Sequence, residues 1–140
     1  MSGVIGLALN IWESSVVSMV LFNAETWLGI SNKTIKILDD LFHTFCRIIF
    51  RVSVGCPIPS FYIQSGAIRF NNRILQKKLM YVHHLANLED ESLGRFFYEQ
   101  QVNNKSLPGL VREVENHQKK IGVTNLNGMS KVKVEEMCLQ

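Results

Sequence analysis

Between Leu41 and Leu88 the chain carries no aspartate or glutamate. A run of that length without acids, in a chain of modest overall charge, suggests a polyanionic partner, the alternative being cations spread over several helices that merely solvate them. Cysteine is also scarce. Cys46, Cys56 and Cys138 form an odd count with no C-x-x-C pair, which excludes a disulfide framework and a zinc ribbon. That usage fits reduced thiols in an intracellular protein, nuclear or cytoplasmic. No glycine-rich phosphate loop is present, so a P-loop nucleotide site is excluded. No alternating polar–apolar run of any length appears, and strands are therefore not expected. Val4–Leu21 is mostly apolar, but Asn10, Glu13, Ser14, Ser15 and Ser18 interrupt it and no basic segment precedes it. That argues against a signal peptide or a spanning helix, and no membrane partner is expected. No internal repeat is visible.

What is present is a chain of 140 residues, 46% hydrophobic and 19% charged, which is enough apolar chain to bury a core and argues against wholesale disorder. Residues 33–78 hold eight basic side chains (Lys33, Lys36, Arg47, Arg51, Arg69, Arg73, Lys77 and Lys78) against Asp39 and Asp40, a local +6 within a total of +3. Helical periodicity dominates. Leu7–Trp27 reads as a first helix, apolar nearly all round. Ser31 or Asn32 caps a second helix running to about Arg51, with Ile35, Leu38, Leu41, Phe42, Phe45, Ile48 and Ile49 as its core stripe. Gly55, Pro57 and Pro59 punctuate a loop, and Ser60–Gln64 makes about one turn. The longest helix spans 67–88. Ile68, Leu75, Leu79, Val82 and Ala86 fall on one line of its wheel, and Phe70, Ile74, Tyr81, Leu85 and Leu88 on a second. The opposite arc carries Arg69, Arg73, Gln76, Lys77, His83, His84 and Asn87. A short helix over 92–101 turns Leu93, Phe96 and Phe97 inward. Ser106 caps a last helix lined by Leu107, Leu110, Val111, Val114 and Ile121, with Pro108 in its first turn. The expectation is an all-α, irregular bundle of about five to six helices, one domain over 1–122, followed by a loop and weak helix over 123–140.

Four constellations invite chemistry. Asp39-Asp40 suggests paired polymerase carboxylates, but adjacent residues on a helix point about 100° apart, so a solvated helix face is the simpler reading. His83-His84 diverges for the same reason and lacks the i, i+3 or i+4 spacing of zinc ligands, so no metal is expected. Glu25 ends an apolar helix and needs a cation, because an unpaired buried charge is costly. Arg47 or Arg51 is the expected structural partner, with Trp27 as a core anchor. Neither Cys46 nor Cys56 has a base set beside it, which removes cysteine nucleophile chemistry. The basic arc remains. Arg69, Arg73 and Lys77 climb one side of a helix at intervals of about 6 Å, close to phosphate spacing on a nucleic-acid strand. Gln76 is placed for sugar or base contacts, Lys78 for phosphate and His84 for a phosphate contact at the end of the arc.

Several local patterns, in order along residues 10–115, resemble one family. Leu21-Phe22-Asn23-Ala24-Glu25-Thr26-Trp27 is similar to an L-Y-G-x-E-x-W stretch and follows Trp12-Glu13-Ser14-Ser15-Val16-Val17. Leu38-Asp39 with Phe45-Cys46-Arg47-Ile48-Ile49 resembles an L-D-x-F…R-x-I/L helix. Gln76-Lys77-Lys78-Leu79, His83-His84-Leu85, Asn87-Leu88, Ser92-Leu93 and Leu107-Pro108-Gly109-Leu110-Val111 complete the series. Together they look like the region after the polymerase core of non-LTR (LINE-type) retrotransposon reverse transcriptases. The resemblance implies a helical thumb and linker that holds an RNA–DNA duplex or template RNA. The polymerase aspartates and endonuclease of that family have no counterpart here, so the expectation is a non-catalytic fragment without cofactor. Its partners would be nucleic-acid backbone and the remainder of a polymerase, or a second copy bound through the apolar first helix. The competing expectation is a helical interaction or assembly module with no nucleic-acid role.

Overall fold

The computed structural model describes residues 2–104 and 109–121. Among them the chain is all-α, with no strand. The described residues form two compact units. The first holds described residues up to 23 and 30–71, and the second holds 24–29 and the described residues from 72 on. The expected features at residues 105–108 and 122–140, including the Ser106 cap and the terminal helix, lie outside the described residues.

The first unit opens with one helical run in three parts: α1 (Ser2–Ile11), a π segment (Trp12–Val17) and α2 (Ser18–Val20). This corrects the single helix expected over Leu7–Trp27. The π segment has a visible cause. Trp12 and Val17 are both buried, and they are five residues apart. An α-helix would turn them to different faces, whereas i→i+5 pairing brings them onto one. The Ser18 hydroxyl donates to the Glu13 carbonyl at 3.2 Å, five residues back. Val4, Leu7, Ile11 and Met19, on either side of the π segment, are exposed. By length and composition alone, Gly3–Val20 is apolar enough to cross a membrane, which the expectation from its polar interruptions did not allow for.

Helix α3 (Asn32–Phe50) begins where expected, with the Ser31 side chain accepting from the Thr34 amide at 3.2 Å. It ends at Arg51, which is left-handed at φ 52° and donates its amide to Arg47. Its buried line differs from the expected stripe. Phe42, His43 and Cys46 are buried, while Leu41 and Ile48 are exposed. The rotation is imposed by α4 (Ile58–Ser65), whose rings fill the space against α3. Phe42 lies 5.1 Å from Tyr62, and Phe50 is parallel to Phe61 at 6.5 Å. Trp12 stacks on Phe45 with centroids 4.4 Å apart and tilts against Phe42 at 5.7 Å. Trp12, not Trp27, is therefore the indole that anchors this core; Trp27 is half-buried in the second unit. Helix α4 stops at Gly66, whose φ of 66° lets its amide close on the Tyr62 carbonyl in a left-handed cap.

Helix α5 (Phe70–Ala86) is shorter at both ends than the expected 67–88. From Asn72 on it belongs to the second unit, with α6 (Leu93–Asn103) and α7 (Leu110–Ile121). Leu79 and Val82 of α5 meet Leu110 and Val114 of α7, with Leu75, Met80 and Tyr98 packed around them. Ser92 caps α6 by accepting from the Arg95 amide. Arg95 itself donates to the Ala86 carbonyl and to Glu99, tying the end of α5 to α6. The Val111 amide donates to Gln101 Oε1 at 3.3 Å, so an α6 side chain satisfies the start of α7. Gly109 permits this approach, since a Cβ there would lie 2.9 Å from that oxygen. Leu93, Phe96 and Phe97 are exposed, against the expectation that they point inward. Phe96 and Phe97 meet only edge to face, 5.8 Å apart, on the surface of α6.

Candidate nucleic-acid interface

Helix α5 and the 3-10 turn Ala24–Thr26 together shape a groove of about 620 Å³ in the second unit, lined by Glu25, Gln76, Lys77, Met80, Tyr81, His83, His84 and Asn87. The α5 positions recur at three- and four-residue intervals, so they form one continuous face of the helix. The groove brings together Gln76, Lys77 and His84, three of the six residues expected to contact nucleic acid. Lys77 and His84 are exposed, and Gln76 is half-buried. Glu25 supplies the opposing carboxylate, and its Oε2 is buried without a hydrogen-bond partner. Arg47 Nε, in the first unit, is likewise buried without a hydrogen-bond partner.

The other three expected residues stand elsewhere. Arg69 precedes α5, in the non-helical stretch after Gly66, so it does not continue the ladder of Arg73 and Lys77. It is exposed in the first unit, with its guanidinium 5.0 Å above the Tyr62 ring. Arg73 is on α5 and half-buried. Lys78 is a correction. It is only 2% exposed, and its Nζ donates to Glu113 Oε1 at 2.7 Å. One residue past Lys77, it turns into the α5–α7 contact and is used up as an internal ion pair. Tyr81 is a correction of the opposite kind: placed in the apolar arc by its wheel position, it is 36% exposed and lines the groove.

A polar cluster in the first unit was not legible from spacing. His43 is buried, and its Nε2 lies 3.0 Å from the Tyr62 hydroxyl. Asp39, expected on a solvated face, bears on that hydroxyl by charge and hydrogen bonding, while its own Oδ1 is buried without a partner. Burial and the Asp39 carboxylate push the Tyr62 phenol up to about 12, offset in part by Arg69. The phenol therefore stays protonated and is no nucleophile. Burial also pushes the Cys46 thiol up to about 11, which keeps it an inert core residue at neutral pH. Burial lowers the His43 pKa below its ordinary 6.5. Asp39 and Asp40 oppose that shift, and Arg47 and Arg69 add to it. The unfolded chain then binds the proton more readily than the folded one. His43's contribution is complete above pH 6.5 and is lost as the pH falls below that value through the folded pKa. Urea midpoints measured from pH 8 to pH 5 should fall more steeply for the parent than for His43→Gln; parallel curves would remove His43 as the cause.

No protein-family model, no curated protein and no solved structure matches this chain.

Proposed function

We propose that this chain is a non-catalytic helical segment of a retroelement-type reverse transcriptase that binds nucleic-acid backbone. The observation that supports it most directly is the convergence of Gln76, Lys77 and His84 on one groove of an acid-free helix. Exposed Arg69 adds a cation in the first unit, as do Lys33 and Lys36. Contacts to phosphate neutralise charge and release counterions, so binding is tolerant of sequence and sensitive to salt.

Fluorescence anisotropy with duplex and single-stranded RNA and DNA tests this. Binding at low salt is expected to weaken in Arg69→Ala/Arg73→Ala/Lys77→Ala, and the slope of log K against log salt to flatten by about 2, near the value for two or three lost phosphates. No binding at low salt, or an unchanged slope, would defeat the proposal. A second reading, a module that docks on another protein, is favoured by the exposed Val4, Leu7, Ile11 and Met19. Light scattering on the same sample separates the two: a stable oligomer without nucleic-acid affinity supports the second.

A further inference from the structure

The groove along α5 has features that a surface for tracking phosphates does not need. It is concave, and its lining includes Met80, the exposed Tyr81 and Glu25. A duplex presents a convex row of phosphates, and a carboxylate facing that row repels it. The groove is open to solvent along its length, with a volume of about 620 Å³. The polar groups are also divided by kind. Lys77 and His84 offer cation or donor to a phosphate, whereas Glu25 only accepts when ionised. Gln76 and Asn87 each offer both a donor and an acceptor, as base edges require.

We propose that the α5 groove takes an unpaired nucleobase with its adjoining phosphate, so that the ligand of this unit is single-stranded nucleic acid and not a duplex. The base lies against Tyr81 and Met80, its phosphate faces Lys77, and a base with an exocyclic amino group donates toward Glu25. Aromatic side chains bind unpaired bases by stacking, which tolerates sequence because every base has a π-face. A carboxylate accepts from the amino group of cytosine, and thymine has no such group to offer. This assignment rests on the nucleic-acid reading above and narrows it.

The test is anisotropy of labelled dC20, dT20 and a 20-base-pair duplex on the full chain at low salt, with Tyr81→Ala, Tyr81→Phe and Glu25→Gln. The expected order is dC20 tightest, then dT20, then duplex. Tyr81→Ala should weaken dC20 about tenfold, in the range for loss of one stacked base. Tyr81→Phe should retain that affinity, which separates stacking from a folding defect. Glu25→Gln should bring dC20 and dT20 together. If the duplex binds as tightly as dC20, or Tyr81→Ala leaves dC20 affinity unchanged while circular dichroism shows an intact fold, the groove assignment fails and the backbone reading stands. If none of the three probes binds, both fail.

Discussion

Glu113→Ala is expected to cost about 3–5 kcal/mol of unfolding free energy, the range for stranding one partner of a buried pair. Lys78→Met is expected to cost little, or to stabilise. The two substitutions break the same 2.7 Å contact, so a pairwise view would give them similar effects. The difference lies in what each leaves behind. Glu113→Ala abandons an ammonium whose side chain is 3% exposed, with nothing to offset its lost hydration. Lys78→Met leaves a carboxylate that is 28% exposed and reaches water, while the methionine fills the volume of the lysine stem. The pair bridges α5 and α7, the two helices whose Leu79, Val82, Leu110 and Val114 form one apolar cluster. Chemical denaturation of Glu113→Ala, Lys78→Met and the double variant checks this, with the double variant expected near Lys78→Met. Equal losses in the two single variants would mean that the ammonium finds other hydration. Lys78→Met should also leave nucleic-acid affinity unchanged, since Lys78 presents no charge at the surface.

The second large effect is expected at Trp12. Truncation to Ala removes an indole that is 5% exposed and sits on two rings of α3. Large aromatic-to-alanine changes in cores cost about 3–5 kcal/mol, a large part of what holds a small domain together. The loss should exceed that of Trp27→Ala, because Trp27 is only half-buried. Thermal unfolding of the two variants gives the comparison. A larger loss for Trp27→Ala would restore it as the anchoring indole.

These two sites also mark how far the sequence could be read. Helix α3 was legible at both ends: Ser31 carries the cap, and the charge and periodicity run unbroken to Arg51. Ser92 caps α6 by the same local device, its side chain accepting from the amide three residues on. Lys77 and Lys78 were not separable. Neighbours on a helix differ by about 100°, and the residue that decides which one turns inward, Glu113, is 35 positions away. Asp39 was misread for a similar reason, since the Tyr62 hydroxyl that draws it in belongs to another helix. The π segment escaped because a 3.6-residue wheel assumes the pitch it is meant to test. Arg69 was assigned to a helix whose start falls one residue later, past the left-handed cap at Gly66. Of the groove, Gln76, Lys77 and His84 could be read from α5 alone. Glu25 could not, because no periodic pattern links a 3-10 turn to a helix some fifty residues on.

The membership of residues 24–29 in the second unit has a consequence for the order in which the protein is made. Synthesis runs from the N-terminus, so Glu25 leaves the ribosome long before Lys77, Tyr81 and His84 exist. The first unit has all its residues once Asn71 has emerged, before the rest of the second unit, to which the six-residue segment belongs, has been made. One wall of the groove is therefore translated as a loop of the first unit and becomes a wall only when α5 arrives. A chain stopped at Asn71 would hold every residue of the first unit and none of the groove's floor.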